Sequence, residues 1–261
     1  MEQKNNNFYK VFFPLSTQYD EKWIKKNSLG ENVLYNLESL CEIISFNRGM
    51  RVLDLACGKA VSAIFLAKEF DVKVWAVDRN ISASDNYERV KEMNCEDMVF
   101  PLNLNARKLP FPHAFFDVII AVDSYMYFGT DEKYSPYIAQ FLRPNGILGI
   151  VDICFSREIN YLAEAPEFIR NEYKDKWFFV HSLDWWSKML DKSGVLKVQT
   201  AEIVPQNEFI RSEYIKDFNG SRKKDYIAEA ISKDDDMLLN IFRITATRSE
   251  KEISLRHYTK E

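Results

Sequence analysis

Val52-Leu53-Asp54-Leu55-Ala56-Cys57-Gly58-Lys59-Ala60, followed by Val74-Trp75-Ala76-Val77-Asp78, are the two stretches whose reading decides the fold. The first is an apolar run that breaks into a tight turn of small residues. The second is another apolar run, closed by an acid. The residues between them, 60–70, have the length and composition of a helix. Strand, turn, helix and strand together make a nucleotide-binding βαβ unit, and a carboxylate ending the second strand can take two ribose hydroxyls. Asp54 and Asp78 are 24 residues apart, close to the separation of about 20 that this geometry needs.

The turn holds a single glycine, Gly58, whereas dinucleotide oxidoreductases approach a pyrophosphate through G-x-G-x-x-G. Acids beside the turn suit a ligand that carries positive charge and no phosphate, as S-adenosylmethionine does. The stretch resembles motif I of the class I S-adenosylmethionine-dependent methyltransferases, a strand followed by D-x-G-x-G-x-G. Asp54 and Gly58 match it, while Ala56 and Ala60 stand where the family has its outer glycines. Each alanine adds one methyl where the cofactor backbone passes, the smallest intrusion available.

Further motifs follow in the family's order. Asp97-Met98-Val99-Phe100-Pro101-Leu102 reads as a third strand. Leu104-Asn105-Ala106-Arg107-Lys108-Leu109-Pro110-Phe111 resembles the D-A-x-x-L-P-F loop that closes over adenine. Phe115-Phe116-Asp117-Val118-Ile119-Ile120-Ala121-Val122-Asp123 resembles the fourth strand, and Phe141-Leu142-Arg143-Pro144-Asn145-Gly146 the turn before the fifth. The resemblance covers roughly residues 50–153. It implies a Rossmann-like, doubly wound α/β fold with a seven-stranded sheet, mostly parallel, whose last strand is antiparallel. It also implies S-adenosyl-L-methionine as cofactor, held by Asp54, Ala56, Gly58, Asp78, Arg79, Asn105, Ala106 and Asp123. Asp78 would take the ribose and Asn105, with the Ala106 backbone, the adenine. Asp54 would reach the amino group of the cofactor's methionine part or serve only to order the turn; Asn105 could likewise be a plain turn residue.

The 261 residues suffice for one large α/β domain with appended elements. The net charge of −4 and the lack of a basic stripe argue against nucleic acid as a partner. The short run Ser221-Arg222-Lys223-Lys224 reads as a solvated loop or helix end. Cys41, Cys57, Cys95 and Cys154 form no C-x-x-C pair and no Cys/His cluster, so no metal site is expected. Unpaired thiols, with no signal peptide and no spanning apolar run, point to the cytoplasm and away from a membrane. A homodimer is compatible with the chain.

The expected organisation is an N-terminal helical cap over 1–48, with 1–7 frayed, a methyltransferase domain over 49–248 and a charged tail over 249–261. Leu34, Leu37, Leu40, Ile43 and Ile44 recur at helical spacing in the cap. The stretches 155–180 and 205–236 are too long for plain connections and read as helical insertions closing a substrate pocket. Ser82-Ala83-Ser84-Asp85 opens a helix with a capping-box-like start, His181-Ser182-Leu183-Asp184 opens another, and residues 195–204 and 238–246 are late strands.

Acceptor chemistry is expected where the fourth strand ends, at Asp123-Ser124-Tyr125-Met126-Tyr127-Phe128. The D/N-P-P-F/Y of amide and adenine methylases is absent there. Tyr125 and Tyr127 alternate, so one ring can face the cationic sulfonium. Should the acceptor arrive protonated, Asp123 or His181 could serve as base; His181 could equally bond a backbone carbonyl at a helix entry. Phe179-Val180-His181-Ser182-Leu183-Asp184-Trp185-Trp186 resembles a stretch found in a bacterial branch of these methyltransferases. The expected function is methyl transfer to the O, N, S or C nucleophile of a small molecule, with a methylase of RNA or protein, or a non-catalytic S-adenosylmethionine-binding module, as alternatives.

Overall fold

A computed structural model describes residues 9–29, 33–172, 177–220 and 226–253. The expected frayed start at 1–7, the basic run at 221–224 and the tail beyond 253 lie outside the described residues.

Seven strands form one sheet: β1 (Arg51–Leu55), β2 (Lys73–Asp78), β3 (Val99–Asn103), β4 (Phe116–Val122), β5 (Leu142–Phe155), β6 (Leu196–Ile203) and β7 (Leu239–Arg248). Their order is β3-β2-β1-β4-β5-β7-β6. The first five are parallel, and β7 runs antiparallel to both β5 and β6. The expected Rossmann-like sheet is therefore present, with its last strand, β7, antiparallel. β6, on the edge, pairs only with β7 and so runs in the direction of the parallel set.

The central strands are largely apolar because both faces are covered. Every residue of β4 is buried, as a parallel strand between two helical layers requires. The acid inside β4, Asp117, is structural: it accepts from the Arg51 amide at 2.6 Å and from Arg143 Nε at 2.9 Å, fastening β4 to the starts of β1 and β5. Gly146 answers a close approach in that turn, since a Cβ there would lie 2.9 Å from the Arg143 carbonyl oxygen.

The helices are α1 (Glu21–Asn27), α2 (Val33–Cys41), α3 (Val61–Phe70), α4 (Ala83–Glu92), α5 (Tyr134–Ala139), α6 (Glu167–Glu172), α7 (Leu183–Asp191), α8 (Asn207–Gly220) and α9 (Tyr226–Ser232). Leu34, Leu37 and Leu40 make the buried stripe of α2. The expected Ser82 cap forms, accepting from the Asp85 amide at 3.0 Å, and Ser182 caps the later helix, accepting from the Trp185 amide at 3.3 Å. The order 3-2-1-4-5 reverses direction between β1 and β4, and a ligand crevice in such a sheet opens at the carboxyl ends beside that reversal.

Candidate active site

The crevice is there. A cleft of about 450 Å³ lies over the carboxyl ends of β1, β2 and β4, within the range of about 300–1,000 Å³ usual for small-molecule sites. The strands contribute Asp54, Ala56, Asp78, Val122 and Asp123 to its lining. Asn27, Ser28, Leu29 and Val33 come from the N-terminal segment. Phe179 and Val180 come from the connection between β5 and α7, Tyr214 from α8 and Ile227 from α9.

The turn after β1 is built on left-handed backbone. Ala56 has φ 58°, Gly58 φ 54° and Ala60 φ 62°. Two alanines thus hold a conformation that favours glycine and costs an L-residue about 1–2 kcal/mol. They keep the glycine-type turn with methyls in place. Gly58 does need to be glycine, since a Cβ there would fall 2.9 Å from the Leu29 side chain that reaches over the turn.

Asp78 ends β2 with 7% of its surface exposed. Its Oδ2 accepts from the Gly58 amide at 3.0 Å, and Oδ1 from the Asn80 and Ile81 amides at 2.7 and 3.0 Å. A carboxylate offers about four lone-pair sites. Three are taken by backbone, leaving capacity on Oδ2, toward the cleft, for a ligand hydroxyl. Asp54 is buried beside it and accepts from the Ser62 hydroxyl at 2.5 Å. Burial pushes the Asp54 carboxyl up to about 7, and the Asp78 charge adds to the rise while the Ser62 bond opposes it.

Asp123 closes β4 at φ 49°. Asn36 Nδ2, from α2, donates to its two oxygens at 2.9 and 3.0 Å, and the Tyr214 hydroxyl, from α8, approaches Oδ1 at 3.4 Å. Asn36 also donates to the Tyr214 oxygen at 3.0 Å. Asp152 lies below on β5, 1% exposed, accepting from the Met126 and Ile153 amides. Burial, reinforced by the Asp123 charge, raises the Asp152 carboxyl to about 7. Asp123 is thus held by side-chain donors, while Asp152 beneath it binds a proton more readily than an ordinary carboxyl.

The structure places the remaining sequence candidates elsewhere. Asn105 is exposed and accepts from the Arg107 amide at 2.9 Å, an Asx turn, and the Ala106 carbonyl accepts from the Tyr134 hydroxyl at 3.2 Å. Arg79 is exposed. None of these three lines the cleft. Of the alternating tyrosines, Tyr127 faces the cleft; Tyr125 is 1% exposed, packed on Gly129 and against Phe128, Tyr134 and Trp186. A Cβ at position 129 would sit 2.1 Å from the Tyr125 ring, so the glycine makes the slot that draws that ring inward. His181 is also outside the lining. Its Nδ1 lies 2.7 Å from Glu158 Oε1, its ring stacks on Trp185 at 3.6 Å, and its carbonyl accepts from the Phe155 amide. Glu158 also accepts from the Ser182 amide at 2.8 Å. Asn36 and Tyr214 are the site residues sequence reasoning missed; neither belongs to a motif. Among the described residues no group of His, Cys, Asp and Glu could hold a metal ion, and no helix is long and apolar enough to cross a membrane.

Comparison with known proteins agrees with this geometry. Residues 52–146 match the family described as a methyltransferase domain. The chain is 28% identical over 172 residues to the 27-O-demethylrifamycin SV methyltransferase of Amycolatopsis mediterranei (strain S699), covering 65% of this chain. It spans 62% of that relative's length. Among solved structures, the geranyl diphosphate C-methyltransferase of Streptomyces coelicolor A3(2), in complex with Mg2+, geranyl diphosphate and S-adenosyl-L-homocysteine, superimposes with TM-score 0.67 at 17% identity, covering 81% of this chain and 78% of that one. The [4+2]-cyclase SpnF superimposes with TM-score 0.69 at 14% identity, covering 95% and 96%.

Proposed function

We propose, from the premise that residues 52–146 are a class I S-adenosylmethionine-dependent methyltransferase domain, that the chain methylates a nucleophilic atom of a small molecule. The observation that carries this reading is Asp78 at the end of β2, fastened to the turn amide of Gly58 and presented to the cleft. Its spare acceptor capacity fits a ribose hydroxyl. The three left-handed residues of the turn let the backbone pass close to a bound ligand.

S-adenosylmethionine, when bound, supplies a methyl group on a sulfonium, an electrophile whose leaving group is a neutral thioether. The chain's own work is then binding, alignment and exclusion of water. Asp78 and the turn hold the nucleoside end. Asp54, protonated in part near neutrality, orders the turn through Ser62. Leu29 and Val33 from the N-terminal segment, with Phe179 and Ile227 from the insertions, wall off the cleft. Asp123, at the switch point and fixed by Asn36, is the group placed to accept a hydrogen bond or a proton from an acceptor. His181 we assign to positioning the α7 entry.

Four free thiols, three of them buried, suit a reducing compartment, and we place the protein in the cytoplasm. The fold alone does not name the reaction, since a neighbour of the same fold is a [4+2]-cyclase. Incubation with methyl-labelled S-adenosylmethionine and separate panels of small amines, phenols, thiols and carboxylic acids, alongside total RNA and a protein lysate, tests the proposal. Label in small-molecule product supports it; label only in RNA or protein, or S-adenosylmethionine binding without turnover, contradicts it.

A further inference from the structure

The lining of the cleft is charged mainly in one sense: Asp54 and Asp78 at the cofactor end and Asp123 at the end of β4 are its acids, and among the described lining residues Lys59 is the one cation. Lys59 sits at the turn and its ammonium donates to the Lys26 carbonyl at 2.8 Å, so it is committed to the cofactor end. Beyond Lys59 no lysine or arginine is among the described lining residues to meet a phosphate or a carboxylate, and an anion brought to Asp123 would meet like charge in a sheltered site.

Asp123 is also too well supported to be incidental. Asn36 Nδ2 donates to both carboxylate oxygens, and with the Asn36 residue 1% exposed this amide is buried for the purpose. Such a carboxylate is held in one orientation. The walls above it are aromatic: Tyr127, 52% exposed, lies 6.3 Å from Phe179 at 64° between ring planes, and both line the cleft with Tyr214. Ring faces attract a cation, and a carboxylate completes its neutralisation.

Resting on the methyltransferase reading, we propose that the acceptor is a small amine, seated with its ammonium on the Asp123 carboxylate and its carbon skeleton against Tyr127 and Phe179. Asn36 and Tyr214 are positioning residues for that carboxylate. Methylation of the nitrogen needs its lone pair. One N–H proton therefore passes to Asp123 before the new N–C bond forms at the expense of the donor's S–C bond, whose electron pair stays on sulfur.

Calorimetry on the protein saturated with S-adenosylhomocysteine tests this with three probes of one shape: 2-phenylethylamine, the neutral 2-phenylethanol and the anionic phenyl phosphate. The amine is expected to bind at least tenfold more tightly than the alcohol, with the phosphate weakest. Asp123→Asn is expected to erase that tenfold preference and leave the alcohol's affinity in place. Tyr127→Ala, at an exposed position that does not threaten folding, is expected to weaken the amine severalfold and the alcohol less. Equal binding of amine and alcohol, tighter binding of the phosphate, or a preference that survives Asp123→Asn would overturn the proposal. A protein that fails to take up S-adenosylhomocysteine in the first titration removes the methyltransferase reading as well. One that takes it up without preferring the amine removes this inference alone.

Discussion

The amide nitrogen of Gly58 lies 3.0 Å from Oδ2 of Asp78, so the turn after β1 and the acid ending β2 are one unit. Because the Asn80 and Ile81 amides hold the other oxygen, the carboxylate cannot rotate away from the cleft without breaking backbone bonds. The geometry of the turn and the aim of the acid therefore depend on each other.

The left-handed alanines of that turn predict a stability change of unusual sign. Ala60→Gly relieves a conformation that costs an L-residue about 1–2 kcal/mol, against about 0.4–1 kcal/mol of added freedom in the unfolded chain. Ala60→Gly is expected to melt no lower than the parent. Ala63→Gly, three residues on inside α3 and fully buried, is expected to lose about 1 kcal/mol or more. Paired thermal melts decide it: equal losses would mean that the backbone at position 60 carries no strain.

The clamp on Asp123 separates two strengths of bond. Asn36→Ala removes a donor at 2.9 and 3.0 Å from a carboxylate and is expected to cost about 1–3 kcal/mol. Tyr214→Phe removes the 3.4 Å contact to Asp123 and the neutral acceptor that Asn36 Nδ2 reaches at 3.0 Å, leaves both Asn36–carboxylate bonds in place, and is expected to cost less, about 0.5–1.5 kcal/mol. Denaturant titration of the two variants would give the reverse order if Tyr214 were the principal support.

Asp152 predicts a pH dependence. Its carboxyl is raised to about 7, first by burial and then by the Asp123 charge, from an unfolded value of about 4. Between these values the folded protein binds the proton and the unfolded chain does not, so stability falls as pH rises from about 4 to 7 and is flat above. Asp152→Asn, which cannot ionise, is therefore expected to gain in melting temperature over the parent progressively across that window. A gain that is constant from pH 4.5 to 8, or absent throughout, contradicts the raised value.

His181 gives a prediction about what does not change. With Nδ1 on Glu158 and the ring on Trp185, His181→Ala is expected to melt earlier while keeping its turnover and pH profile. Turnover lower by about 10²- to 10⁴-fold, with loss of the acid limb, would make His181 a base after all.

The sheet and its acids were readable in the sequence because the information is local. An apolar run, a small-residue turn and a closing acid lie within a few residues of one another, and Ser82 and Ser182 cap helices that begin next to them. The site's support was not readable for the opposite reason. Asn36 reaches Asp123 across 87 residues and Tyr214 reaches it across 91, and no spacing rule links such positions. The choice between Tyr125 and Tyr127 depended on Gly129, whose bare Cα accepts the Tyr125 ring. Asn105 fits the adenine loop by sequence, and its carbonyl oxygen also accepts from the Arg107 amide, a local bond that the motif does not specify.

The most direct test of the whole account is the dissociation constant of S-adenosylhomocysteine, measured by calorimetry for the parent protein and for Asp78→Ala. Losing hydrogen bonds to a charged acceptor costs about 1.5–3 kcal/mol, so the parent is expected to bind and the variant to bind roughly ten- to a hundredfold more weakly, with its far-ultraviolet circular dichroism unchanged. An affinity that is the same in both proteins would contradict the assignment of this cleft to the cofactor.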